Sequence, residues 1–151
     1  MMRRLLTRSR RDEAGAELVE FALVLPILLL LVAGIVDFGF LFQRYEVVTN
    51  AAREGARTAT LPGYSQADVR QRVQSYLTSG GLSSTAAISV VSAPTTLASG
   101  RTVNLTTVTV DYPNTFTLIG PFAALVGGSG WGTTTLRGRA AMRVEGASAG
   151  P

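Results

Sequence analysis

The residues whose type could support acid–base chemistry are carboxylates: Asp37, Glu46, Glu54, Asp68, Asp111 and Glu145. Their spacing forms no motif, and no phosphate-cradling glycine loop or nucleotide signature accompanies them. The chain has no Cys and no His. The first absence removes disulfides, thiolate metal sites and a thiol nucleophile. The second removes the commonest metal ligand and the commonest neutral-pH base. The sequence therefore offers no catalytic residue, no cofactor site and no metal site. The residues that stand out instead are Gly15, Ala16, Glu20 and Phe21, at the foot of a hydrophobic run. Small residues that could mark processing, Ala14-Gly15-Ala16, stand just before a hydrophobic run. Glu20 adjoins Phe21 at the edge of that run. An unpaired carboxylate there is expensive, so Glu20 requires a partner.

The element that positions them is a membrane helix. Phe21 to Val36 is an unbroken apolar run of 16 residues, slightly short of the roughly 20 a span requires. Crossing Asp37 and continuing to Phe42 gives 22 residues with a single charge, or about 33 Å of helix. Phe38, Phe40, Phe42 and Tyr45 gather at the far end. No cleavage-site pattern follows the run, as it would in a secretory signal peptide; Gln43-Arg44-Tyr45-Glu46 reads as continuing helix. All 14 basic residues are Arg, set against 10 acids, for a net charge of +4. Arg3, Arg4, Arg8, Arg10 and Arg11 crowd into the leader, and from Ala16 onward the chain is nearly neutral. A nucleic-acid binder would carry its positive field on the folded domain. Arg placed just before a hydrophobic helix favours a cytoplasmic N-terminus and an outer C-terminal domain.

Arg10-Arg11-Asp12-Glu13-Ala14-Gly15-Ala16-Glu17-Leu18-Val19-Glu20-Phe21-Ala22-Leu23-Val24-Leu25-Pro26 resembles the start of the TadE-like family, pseudopilins of the tight-adherence (Flp, type IVb) pilus assembly system. Asn50-Ala51-Ala52-Arg53-Glu54-Gly55-Ala56-Arg57 resembles the stretch that follows the membrane helix in that family. Met142-Arg143-Val144-Glu145 resembles its C-terminal ending. The likeness covers Arg10 to about Thr60 well and the remainder in outline, and the related TadF and TadG types share the N-terminal logic. The resemblance implies a prepilin peptidase cutting between Gly15 and Ala16, with Glu20 as mature position five. It implies that Glu20 pairs with a neighbouring subunit's new N-terminal amine or helps the peptidase position its substrate. Further partners implied are the inner-membrane assembly platform, other pilin-like subunits and the lipid bilayer, with no nucleic acid. The expected function is that of a processed pseudopilin or minor pilin. The alternative is an unprocessed single-pass protein that anchors or scaffolds an envelope complex.

The fold expected is α+β and type IV pilin-like: a long N-terminal transmembrane helix that extends outward and packs on a small antiparallel sheet of about three strands. Residues 1–15 form a basic leader, 16–60 the helix with its membrane segment at about 21–42, 61–145 the outer domain and 146–151 a flexible tail. A 44-residue helix measures about 66 Å, so its outer third must pack outside the bilayer. Ala51, Ala52, Gly55, Ala56 and Ala59 permit close approach. They would serve packing on the chain's own domain, contact between subunits, or both on different faces. Pro26 cannot donate to the Ala22 carbonyl, which predicts a kink or a loosened turn. Arg53 and Arg57, four apart, repel unless Glu54 or another surface offsets them. Together with Glu20 and Pro26, the stretch from Ala51 to Arg57 is the expected assembly surface.

Farther out, a helix over 64–78 is capped by Ser65 with Asp68 three residues on. Strands are expected over 86–91, 101–112 and 133–145, with 94–100 a loop. Residues 115–126 read as a short membrane-proximal helix or loop packing on the sheet, and 127–132 as a loop. Thr is abundant from 78 to 135, which suits an adhesive or glycan-bearing surface and, more simply, strand formation. Asn104-Leu105-Thr106 matches a glycosylation triplet by chance inside a strand.

Overall fold

The computed structural model describes residues 3–83, 85–125 and 132–144. The expected tail at 146–151, Trp131 and most of the 127–132 loop, and Glu145 lie outside the described residues. Helix α1 runs from Arg3 to Ala59. It thus begins thirteen residues before Ala16, where the sequence reading placed its start. Apart from Gly15, the leader is built of residues compatible with a helix, and an isolated glycine costs only about 1 kcal/mol in a helix. The helix also continues through Pro26; the missing N–H removes one bond from the ladder without ending it.

Helix α2 spans Gln66–Ser79, begun by a capping box. The Ser65 hydroxyl accepts from the Asp68 N–H, and the Asp68 carboxylate accepts the Ser65 N–H at 2.8 Å. Strands β1 (Ala87–Thr96), β2 (Thr102–Thr115) and β3 (Thr133–Arg143) form an antiparallel sheet in the order β1-β2-β3, and α3 (Ile119–Leu125) lies between the last two strands in sequence.

β1 and β2 run farther than the sequence predicts, and proline is the reason. Residues 94–96 belong to β1, not to a loop: Pro94 pairs with Asn104 on an edge strand, where a missing donor can face away from the ladder. β2 runs on through Pro113 to Thr115 because β1 ends opposite Asp111, so beyond that point β2 has one partner only.

The core lies between one face of the sheet and the two helices. Val48, Ala51, Ala52 and Ala56 of α1, Val69, Val73 and Leu77 of α2, and Val108 and Val110 of β2 are buried together. The i, i+4, i+8 series Val69, Val73, Leu77 makes α2 one-sided. On β2 the even-numbered residues from Thr106 to Asn114 point inward. Small residues bring α1 very close. A Cβ on Gly55 would overlap Val73 and lie 3.2 Å from Val108, and one on Gly138 of β3 would lie 2.6 Å from the Val48 carbonyl oxygen. Gly138 therefore lets α1 and β3 touch backbone to backbone.

Candidate functional site

Three zones follow one another up α1. The lowest is bare. Gly15, Ala16, Glu17, Glu20, Phe21 and Pro26 are exposed, with no heavy atom within 4 Å of a Cβ placed on Gly15. Most of the large apolar side chains from Leu18 to Val32 are at least half exposed. Gly15–Ala59 is, among the described residues, the single stretch of helix long and apolar enough to cross a membrane, with a mean hydropathy of 2.8 in its most apolar window. None of the ion pairs among the described residues involves Glu20.

The second zone is a collar where the chain returns to α1. Asp37 is only 3% exposed. Its carboxylate accepts three successive backbone N–H groups, from Thr117 at 3.2 Å, Leu118 at 2.9 Å and Ile119 at 2.7 Å. Phe38 packs on Phe116 at 6.1 Å between ring centroids, tilted by 58°. Above them the Arg44 guanidinium donates to the Asn114 side-chain oxygen at 2.6 Å and to the Thr115 carbonyl at 3.3 Å. Residues 116–119 thus contact α1, where the sequence predicts that the segment packs on the sheet. From sequence Asp37 reads only as a charge near the end of the span, and Arg44 only as helix. The available signal was the carboxylate itself, since an acid inside an apolar run requires a partner; which backbone would supply it is set by tertiary structure.

The third zone holds the Ala51–Arg57 stretch. Ala51, Ala52 and Ala56 are fully buried in the chain's own core, and Gly55 faces Val73. The charged members turn outward. Glu54 accepts both Arg57 (3.1 Å) and Arg72 of α2 (2.9 Å), while Arg53 donates to Asn50 at 3.2 Å. The repulsion expected between Arg53 and Arg57 is thereby offset. Arg57, and then Arg72, hold the Glu54 carboxyl below its ordinary range. Arg57, Tyr64, Asp68 and Arg72 line an open groove between the end of α1 and α2. It is charged and shallow, and it has no convergent set of groups for a reaction. Among the described residues no cluster of three metal-ligating side chains occurs.

Comparison with known proteins gives one match. The model of the family described as TadE-like protein aligns with residues 15–57. The match starts at Gly15 and ends at Arg57, so it covers the bare zone, the α1 side of the collar and the small-residue stretch. No curated protein and no solved structure matches the chain.

Proposed function

We infer, from the match of residues 15–57 to the TadE-like family, that the chain is a processed pseudopilin or minor pilin in the assembly of a tight-adherence pilus. That match supports a role in Tad/Flp pilus assembly, and TadE-like proteins are structural and assembly factors, not enzymes. The observation that carries the finer reading is the coincidence at the foot of α1. The matched segment begins at Gly15, five residues before an exposed Glu20 and at the start of an uncovered apolar helix.

In this reading a prepilin peptidase on the cytoplasmic side hydrolyses the Gly15–Ala16 bond. The Arg-rich leader stays with the cytoplasm, and the new amine at Ala16 supplies the opposite charge that Glu20 requires in low dielectric. The charge of the leader supports this orientation, with the C-terminal domain outside the inner membrane. The bare zone then serves the bilayer first and other pilin-like subunits or the assembly platform afterwards. Glu20, Pro26 and the outward Arg53, Glu54 and Arg57 are the contacts available for that. Ala51, Ala52, Gly55 and Ala56 act indirectly, by fixing the outer domain on the helix.

The test is the intact mass of the protein from native membranes, with and without Gly15 substituted. A chain starting at Ala16 in the wild type, and a full-length chain in the variant, is the expected result. Wild-type material that still carries Met1 to Gly15 would leave the unprocessed envelope anchor as the reading.

A further inference from the structure

From Asn114 onward the chain descends along α1. Asn114 and Thr115 meet Arg44, Phe116 meets Phe38, and the N–H groups of 117–119 meet Asp37. The Ile119 side chain then reaches the level of Gly34, where a Cβ would lie 3.9 Å from its Cδ1. The contact point thus moves from residue 44 to residue 34 of α1, about 15 Å down the helix axis at 1.5 Å per residue. The excursion is closed at its neck, where the Phe116 N–H donates to the Gly132 carbonyl at 2.9 Å.

Depth follows from the same arithmetic. If the hydrocarbon begins at Phe21, next to Glu20, a core of about 30 Å ends near Phe40. Gly34 and Ile119 then lie about 9 Å inside the outer boundary, the depth at which interfacial helices rest their apolar faces. The composition agrees, since no charged residue occurs between Asp111 and Arg137. Leu118 and Phe122 are each 41% exposed, and at the same level Ile35 and Phe38 of α1 are exposed as well. This apolar surface is continuous with the bare face of the membrane helix.

We propose that residues 116–122 are a second membrane-contacting element, set into the outer leaflet beside α1 and pinned there by Asp37, with phospholipid acyl chains as the occupant of the Leu118 and Phe122 surface. The proposal rests on the reading of α1 as a membrane helix. Asp37 has a structural part in it: the carboxylate supplies acceptors for three N–H groups at a depth where water is scarce. The sheet would then be held at a fixed height, with the excursion and α1 as two feet.

Bromolipid quenching in the full chain tests this. Trp131→Phe removes the single native tryptophan, and Phe122→Trp, Leu29→Trp and Tyr76→Trp are then made one at a time. Each is reconstituted in phosphatidylethanolamine–phosphatidylglycerol vesicles with and without brominated acyl chains. Phe122→Trp is expected to be quenched several-fold more than Tyr76→Trp on the outer helix α2, with blue-shifted emission. Quenching of Leu29→Trp together with a Phe122→Trp signal indistinguishable from Tyr76→Trp overturns the proposal and leaves the membrane helix intact. Absence of quenching at Leu29→Trp overturns the membrane helix itself. In this cysteine-free chain, Phe122→Cys that forms a disulfide between copies, with the tryptophan unquenched, overturns the proposal in favour of a second copy as occupant.

Discussion

Asp37 accepts three N–H groups while almost wholly buried, and hydrogen bonds to a charged group are worth about 1.5–3 kcal/mol each. Asp37→Ala would strand those donors. The expected outcome is local: chymotrypsin cuts at Phe116 or Phe122 many times faster, while the unfolding of the α2–sheet core shifts little, because its buried residues are elsewhere. Protection equal to wild type would show that the collar is held by Phe38–Phe116 and Arg44 instead. Glu54 gives a pH prediction. Its folded pKa is depressed, by Arg57 first and Arg72 second, so its contribution is present above the ordinary glutamate value near 4.5 and is lost as pH falls through the folded value. Both arginines are more than half exposed, so solvent and salt screen the pair and its contribution is small. Acid titration of the melting temperature should show a small loss below about pH 4.5 that is reduced in Arg72→Gln and absent when Arg57→Gln is added to it.

At the scale of elements, the approach of α1 to the sheet depends on what β3 lacks. A methyl at Gly138 would meet the Val48 carbonyl, and the listener on that side is helix backbone, which cannot rotate away. Gly138→Ala should therefore cost about 2–3 kcal/mol, in the upper range of overpacking, and lower the outer domain's melting temperature by several degrees. Ser65→Ala removes half of the capping box and should cost about 1 kcal/mol, read in the same melt. The cap was legible because its signal is local: Ser65 and Asp68 lie three apart before an apolar stripe. The long helix and the β2 alternation were legible for the same reason. Gly138 was not, because a glycine's near neighbours are set by which backbone the fold lays across it. The extension of β1 through Pro94 was missed likewise, since proline is tolerated at an edge, and edge status belongs to the sheet and not to the strand. The small-residue face at Ala51–Ala56 was legible as a packing surface, while the partner that covers it inside the chain, α2 with β2, required the fold.

The whole molecule divides by charge and cover. The leader carries five Arg, the middle of α1 is apolar and uncovered, and the outer end is wrapped in its own domain. Arg at the helix centre costs about 2.5–3.5 kcal/mol on insertion scales, so a leader with five of them strongly resists translocation, whereas the nearly neutral outer domain does not. Protease added to intact spheroplasts should accordingly digest the region from Leu61 to Val144 and spare an epitope placed ahead of Met1. Replacing Arg3, Arg4, Arg8, Arg10 and Arg11 by Gln should scramble that orientation, giving a mixed population in which some outer domains become protected. The same variant separates the two roles of the leader. If Gly15 processing depends on the cut site reaching the cytoplasmic side, the misoriented fraction should stay full length and the correctly oriented fraction should still be shortened at Ala16. A wild-type chain whose outer domain resists protease until the membrane is dissolved would reverse the assignment of sides, and with it the place where any peptidase could meet Gly15.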